Sequence, residues 1–144
     1  MLKGIYVHEI SVYVSKLDTD AENPTKFHVG VLDPFLEAYI NDTATTAVKK
    51  EQGAGEEELE VKLNLSLRNL LTVKFCVRKI ENFWDPKKKE AVTIEATAVK
   101  IGSREYTALP DDVIAALPGG TAILMELSLE ARRLNTLSEE EAKN

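Results

Sequence analysis

Residues 66–84, SLRNLLTVKFCVRKIENFW, decide the fold because they carry two conflicting hydrophobic patterns. Leu71, Val73, Phe75 and Val77 alternate with other residues, as the inward side chains of a strand do. The competing pattern has steps of three and four residues, as on one face of a helix: Leu70, Val73, Val77, Ile80 and Trp84.

We predict one helix over 66–84, with a strand as the alternative. The stretch is too long for a typical strand. Ser66 can cap a helix N-terminus, and Trp84-Asp85-Pro86 is a natural stop.

Two strands and a helix are predicted before this stretch. IYVHEISVYV at 5–14 and KFHVGVL at 26–32 are rich in β-branched and aromatic residues, which indicates strands. Asp33 followed by Pro34 predicts the start of a helix over 34–42, because the carboxylate caps the backbone and proline suits the first turn.

A mobile loop is predicted over residues 43–58, which are polar and include EQGAGEEE. The following segment, ELEVKLNL at 58–65, alternates apolar and polar residues and predicts a strand with one wet face.

A hairpin and two helices are predicted after residue 90. VTIEATAVKI and REYTAL flank Gly102-Ser103, which is typical of a hairpin turn. Short and long helices are predicted at 111–117 and 122–135, separated by Pro118-Gly119-Gly120. The apolar stripe of the longer helix is Ile123, Leu124, Leu127, Ala131 and Leu134, whereas Glu126, Glu130, Arg132 and Arg133 are predicted to face water.

These elements predict one α+β domain over residues 1–144. It has a small, mostly antiparallel sheet, two main helices and a C-terminal amphipathic helix, which leads into a helical tail within 121–144. Ser138 and Glu141 form a capping-box pattern that predicts one more helical turn.

The composition argues against several classes of protein. The net charge of -6 and the pI near 5.0 disfavour general nucleic-acid binding, which requires many lysines and arginines. Cys76 is the single cysteine and suits a reducing cytoplasm. The N-terminal residues do not resemble a signal peptide, and no apolar run approaches the ~20 residues of a membrane span.

No motif in the sequence predicts an enzyme, a metal site or a cofactor. His8 and His28 lie in strand-like runs without a nucleophile motif, and Cys76 is expected to be a packed core residue. The acidic residues of 18–22 lack the glycine and glutamate of a calcium loop. Lys87-Lys88-Lys89 is expected to be a surface turn after Phe83 and Trp84, and both aromatic residues are expected in the core.

Three segments resemble small morphogenesis proteins of tailed bacteriophages, of the tail assembly chaperone type. They are DTDAENPTKFHVGVLDP at 18–34, VRKIENFWDPKKKE at 77–90 and MELSLEARRLNTLSEEEAKN at 125–144. The resemblance covers about half of the chain, and the terminal LN.LSEEEAKN motif is its distinctive part. Ser128, Leu129 and the long β-rich stretch 91–108 depart from the pattern.

The resemblance implies a non-enzymatic protein that binds another phage protein during virion assembly. A tail or tape-measure component would be the partner, in the host cytoplasm or associated with the virion. The C-terminal helix and tail would be the partner surface, with these residues in contact: Leu127, Glu130, Arg133, Leu134, Leu137 and Glu140.

Two alternative functions remain open at this stage. An acidic phage protein of this size is also compatible with host takeover, through binding a basic surface of a host enzyme such as RNA polymerase. The third hypothesis is a minor structural component of the virion, such as a head-decoration or joining protein.

Overall fold

The computed structural model describes the backbone of residues 1–52 and 56–136 and the side chains of residues 1–46 and 60–136. The prediction of an α+β fold is confirmed. The strands are β1 (Ile10–Tyr13), β2 (Lys26–Gly30), β3 (Thr45–Gln52), β4 (Glu56–Leu63), β5 (Val77–Asp85), β6 (Glu90–Glu95), β7 (Thr97–Ile101) and β8 (Arg104–Ala108). The helices are α1 (Pro34–Ala44), α2 (Leu65–Cys76), α3 (Asp111–Ala115) and α4 (Thr121–Asn135).

The centre of the fold is an antiparallel sheet with the strand order β1-β2-β5-β6. Helices α2 and α4 pack on each other and against this sheet, and α1 packs on α2. The buried core combines side chains from the sheet and the helices, among them Val29, Leu36, Ile80, Ile123 and Leu127. Burial of these apolar side chains is the main stabilising contribution to the fold.

The prediction of one helix over 66–84 is half wrong, because the chain changes from helix to strand at Cys76. Helix α2 begins after Asn64, whose side chain accepts a hydrogen bond from Leu67 N, rather than after Ser66. From Val77 onward the backbone pairs with β2 on one side and β6 on the other.

Two irregularities in β5 explain why its sequence resembles a helix. Arg78 is an extra residue opposite the β2 step from His28 to Val29. Two residues of β5, Glu81 and Asn82, then lie opposite the single residue between Val92 and Ile94 of β6. Each extra residue shifts the alternation by one position. The buried side chains therefore recur every three residues, at Val77, Ile80 and Phe83.

The prediction of a mobile loop over 43–58 is also wrong for the part of it that the structure describes. Helix α1 extends to Ala44, and Thr45–Gln52 then pairs antiparallel with Glu56–Leu63, from Thr45↔Leu63 to Gln52↔Glu56. The backbone N–H and C=O groups of two neighbouring strands can pair with each other whatever side chains the strands carry. The polarity of the segment was therefore a misleading signal. The connecting residues 53–55 lie outside the described part.

The remaining local predictions within the described residues are confirmed with adjusted boundaries, whereas the helical turn predicted from Ser138 and Glu141 lies outside them. Only Ile10–Tyr13 of the strand predicted at 5–14 is paired. Asp33 caps α1 as expected, since its side chain accepts a hydrogen bond from Leu36 N. The turn at Gly102-Ser103 connects β7 to β8, and Gly102 has the positive φ of 62° that such a turn favours.

Helix α4 differs from its predicted exposure pattern, because three of its charged residues are half-buried and bonded. Glu126 accepts hydrogen bonds from Tyr13 Oη and Ser15 Oγ at 2.9 and 3.2 Å. Arg132 Nη1 lies 2.8 Å from Glu37 Oε1 of α1. These contacts join α4 to β1 and α1 through polar groups on two of its faces. Within the described residues, no helix is both long and apolar enough to cross a membrane.

Candidate functional site

Cys76 is the last residue of α2 and has no exposed surface. Burial raises the pKa of its thiol to about 12. The thiolate is the reactive form, so we expect Cys76 to be unreactive in the folded protein, and its expected role as a packed core residue is confirmed.

We predict that a thiol-specific alkylating reagent at pH 8 modifies Cys76 only when the protein unfolds. Burial both blocks access to the sulfur and suppresses ionisation. The expected result is negligible mass increase over hours in buffer and complete modification within minutes in 8 M urea, measured by intact mass spectrometry. Rapid modification in buffer would show that α2 opens locally.

The two histidines have different contacts. His28 is on β2, and its Nε2 lies 3.3 Å from Glu81 Oε2; the nearby imidazole lowers the pKa of Glu81. His8 lies before β1 and its ring makes an edge contact with Tyr6. In the described part of the chain, no group of three or more His, Cys, Asp or Glu side chains has a geometry that could hold a metal ion.

The acidic loop that begins at Asp18 and the lysine turn at residues 87–89 are stabilised by hydrogen bonds from backbone N–H groups to aspartate side chains. Asp18 Oδ1 accepts a hydrogen bond from Asp20 N, and Asp18 Oδ2 accepts one from Thr25 N. Asp85 Oδ1 accepts hydrogen bonds from Lys87 N and Lys88 N, which fixes the turn between β5 and β6. Both segments therefore are turns, as expected from the sequence.

An apolar groove of about 640 Å³ lies at one end of the central sheet. Its floor consists of buried side chains from β2, β5 and α4: Phe27, Phe83 and Ile123. Trp84 and Leu17 line it too, with exposed fractions of 61% and 49%. Pro86 and Pro118 are further lining residues. We call this site the Trp84 groove.

Gly119 brings the turn before α4 against the loop after β1. Its φ of +85° favours glycine, and a Cβ at this position would lie only 2.5 Å from Leu17 Cδ1. Leu17 therefore packs against the turn. This close approach joins two segments that are about a hundred residues apart in the sequence into one wall.

Three of the polar side chains that line the Trp84 groove form hydrogen bonds within the protein. Ser15 Oγ donates to Glu126, and Thr25 Oγ1 donates to the carbonyl of Asn82. Both carboxylate oxygens of Asp18 accept backbone hydrogen bonds. The surface that these groups leave for a ligand is chiefly apolar, which favours an apolar side chain as its occupant.

Trp84 is on the surface, whereas it was predicted to be a core residue. Phe83 is 8% exposed and confirms the prediction for that residue. Adjacent strand residues point to opposite faces of a sheet. Because the irregularity before Phe83 directs that side chain inward, Trp84 points outward.

The six residues predicted as a partner surface do not form one exposed patch. Leu127 is 1% exposed within the core, which corrects its assignment to a surface. Leu134 is half-buried, and Glu130 accepts a hydrogen bond from Ser11 Oγ at 2.8 Å. Arg133 is exposed and contacts Glu130. Leu137 and Glu140 lie outside the described residues.

The outward face of α4 instead combines Arg133, which was predicted for the partner surface, with two residues that were not. Met125 and Leu129 are 53% and 60% exposed, and Arg133 follows at the same four-residue spacing. The Trp84 groove was also missed. Its local signals were Phe83 and Trp84 beside the lysines, which were expected in the core, and the turn sequence Leu-Pro-Gly-Gly at 117–120, which indicated a helix boundary rather than a site.

Comparison with known proteins adds no family assignment. No family model, no curated protein and no solved structure matches the chain.

Proposed function

We propose that this chain is a non-enzymatic protein of tailed-phage assembly that binds an apolar segment of another phage protein in the Trp84 groove. The observation that carries the proposal is an apolar groove that is lined both by buried core residues and by an exposed tryptophan. An exposed tryptophan beside a hydrophobic pocket is typical of the residues that dominate protein interfaces. The sequence resemblance supplies the phage context, with a tail or tape-measure component as the partner.

The lysines that follow Trp84 indicate which charge the partner segment would carry. Lys87, Lys88 and Lys89 follow Trp84 in the turn to β6, and all three side chains are exposed. They provide a local positive charge on a chain with a net charge of -6. A partner segment with an apolar anchor and flanking acidic residues would match both features. An amphipathic helix is one common form of such a segment.

We expect Trp84→Ala to reduce capture of the partner by about tenfold while leaving the folded protein stable, because Trp84 is mostly exposed. Tagged wild-type and Trp84→Ala proteins would be expressed during infection by the encoding phage. Bound proteins would then be quantified by mass spectrometry at low and high salt. Tyr6→Ala is the matched control, since it removes another aromatic side chain that is 69% exposed.

The identity of the Trp84-dependent partner decides between the candidate functions. A tail or tape-measure protein supports an assembly role. A host enzyme such as RNA polymerase, released as salt rises, would instead indicate host takeover. Stoichiometric presence of the chain in purified particles would indicate a structural component. Equal recovery of every partner by wild type and Trp84→Ala would refute the groove as the binding site.

A further inference from the structure

Strand β1 lies at one edge of the central sheet and has a neighbouring strand, β2, on only one side. An edge strand leaves alternate backbone N–H and C=O groups without a strand partner. Among the described residues, the backbone of residues 10–14 forms no hydrogen bond other than those of the pairing with β2. This edge can therefore accept a further strand.

One face of β1 and of the residue after it is apolar and exposed. Ile10, Val12 and Val14 are 42%, 56% and 40% exposed, and they share a face because they alternate along the chain. Ser11 and Tyr13 lie between them and donate hydrogen bonds to carboxylates of α4 on the opposite face. Helix α4 therefore packs on the other face of β1 and leaves the apolar face exposed.

The opposite edge of the central sheet has a different character. Strand β6 has Glu90 and Glu95 at its two ends, and its apolar residues Val92 and Ile94 are half-buried. Charged side chains on an edge strand are a common protection against pairing with another chain. Residues 10–14 include no charged side chain, so this protection is missing from β1.

The pattern of residues 10–14, Ile-Ser-Val-Tyr-Val, matches a second copy of itself. A two-fold interface joins the same surface of both subunits, so its pattern must be self-complementary. In an antiparallel pair centred on Val12, this residue lies opposite Val12 of the second copy, and Ile10 lies opposite Val14. A two-fold axis perpendicular to the sheet keeps these β-branched residues on one face, where they form favourable cross-strand pairs.

The charges at the two ends of this segment are complementary as well. Glu9 precedes residues 10–14, Lys16 follows them closely, and both side chains are exposed. Antiparallel pairing about Val12 brings the Glu9 end of each strand next to the Lys16 end of the other. The local charges therefore attract each other, although each chain has a net charge of -6.

We propose that this chain forms a two-fold symmetric dimer in which β1 pairs antiparallel with β1 of a second copy, centred on Val12. The two central sheets then become one continuous sheet. The contact between two such short strands is small, and interfaces below about 1,200 Å² are typical of weak complexes. We therefore expect a dimer whose population rises with protein concentration. The dimer does not depend on the Trp84 groove, because it requires only copies of this chain.

Sedimentation velocity of the purified full-length protein, from about 10 μM to about 1 mM, measures the association. The mass should rise from that of one chain towards that of two. Val12→Lys should weaken dimerisation at least tenfold, because two like charges would then lie directly opposite each other. Thr93→Lys is the matched control, since it introduces the same charge at an exposed position of β6, on the other edge. Circular dichroism would verify that both variants are folded.

Engineered cysteines test the register of the strand pair. Residues directly opposite each other have Cα atoms about 4.5–5.5 Å apart, which is within the range that a disulfide spans. Oxidised glutathione should therefore cross-link the Val12→Cys protein to its own copy. Ile10→Cys should cross-link only when it is mixed with Val14→Cys. Non-reducing gel electrophoresis detects the products, and the native Cys76 is buried.

Each outcome either supports or overturns the dimer. It is supported if Val12→Lys, but not Thr93→Lys, weakens association and if the cysteine variants cross-link in the stated combinations. A wild-type protein that stays monomeric up to about 1 mM would overturn it and leave the β1 edge to a strand of another protein. Equal association of wild type and Val12→Lys, or equal losses in both lysine variants, would exclude β1 as the interface. Cross-linking of Ile10→Cys on its own would overturn the register centred on Val12.

Discussion

Leu127→Ala is expected to lower the free energy of unfolding by about 2–5 kcal/mol, which is the usual range for truncating a buried leucine. The side chain is 1% exposed and belongs to the core cluster formed by the sheet and α2. Truncation would remove its apolar contacts and leave a cavity that the surrounding elements cannot fully close. Urea denaturation followed by circular dichroism measures the change.

Leu129→Ala is the matched control, because it makes the same substitution two residues further along α4. Leu129 is 60% exposed, so its free energy of unfolding should change by no more than about 0.5 kcal/mol. The comparison also tests the original assignment of Leu127 to a partner surface. A stable Leu127→Ala protein with impaired partner capture would restore that assignment and contradict the packing of α4.

The sequence predicted those elements whose determinants are local. Asp33-Pro34 marks the start of α1 because the cap is made within one turn. Gly102-Ser103 marks the β7–β8 hairpin because the turn itself requires a positive φ at Gly102. The spacing of Ile123, Leu127 and Ala131 predicted the buried face of α4 correctly. None of these predictions required knowledge of a distant segment.

The failed predictions for β5 and for the charged residues of α4 depend on segments elsewhere in the chain. Strand β5 is paired on both sides, and its irregularities match the particular registers of β2 and β6. Glu126 and Arg132 appeared to be water-facing because their partners, Tyr13 and Glu37, are more than ninety residues away. A charged residue on a helix is exposed by default, and only the tertiary structure reveals the exceptions.

The Trp84 groove could not be predicted for the same reason. It combines the loop after β1, the end of β5 and the turn before α4, which are brought together only by the completed fold. The sequence indicated an aromatic pair beside lysines, but it did not indicate which aromatic residue was exposed. That distinction depends on the irregularity at Glu81 and Asn82.

Asn82→Val is therefore expected to lower the free energy of unfolding by about 2–3 kcal/mol, an effect second only to that of Leu127→Ala. Asn82 has a φ of 56°, in the left-handed region that asparagine tolerates and valine strongly disfavours. This conformation costs roughly 1–2 kcal/mol for an ordinary residue. The substitution also removes the hydrogen bond from Asn82 Nδ2 to the carbonyl of Asn23, 2.7 Å long and worth about 0.5–1.5 kcal/mol.

Two further variants separate the backbone from the side-chain contribution. Asn82→Gly retains access to positive φ but lacks the amide, so it should lose only the hydrogen-bond contribution. Thr93→Val introduces a valine on the facing strand β6, at an exposed position with ordinary strand geometry, and should change stability by less than about 0.5 kcal/mol. Urea unfolding of the three variants gives the comparison. If Asn82→Val matched Thr93→Val, positive φ at Asn82 would not be needed to direct Phe83 inward and Trp84 outward.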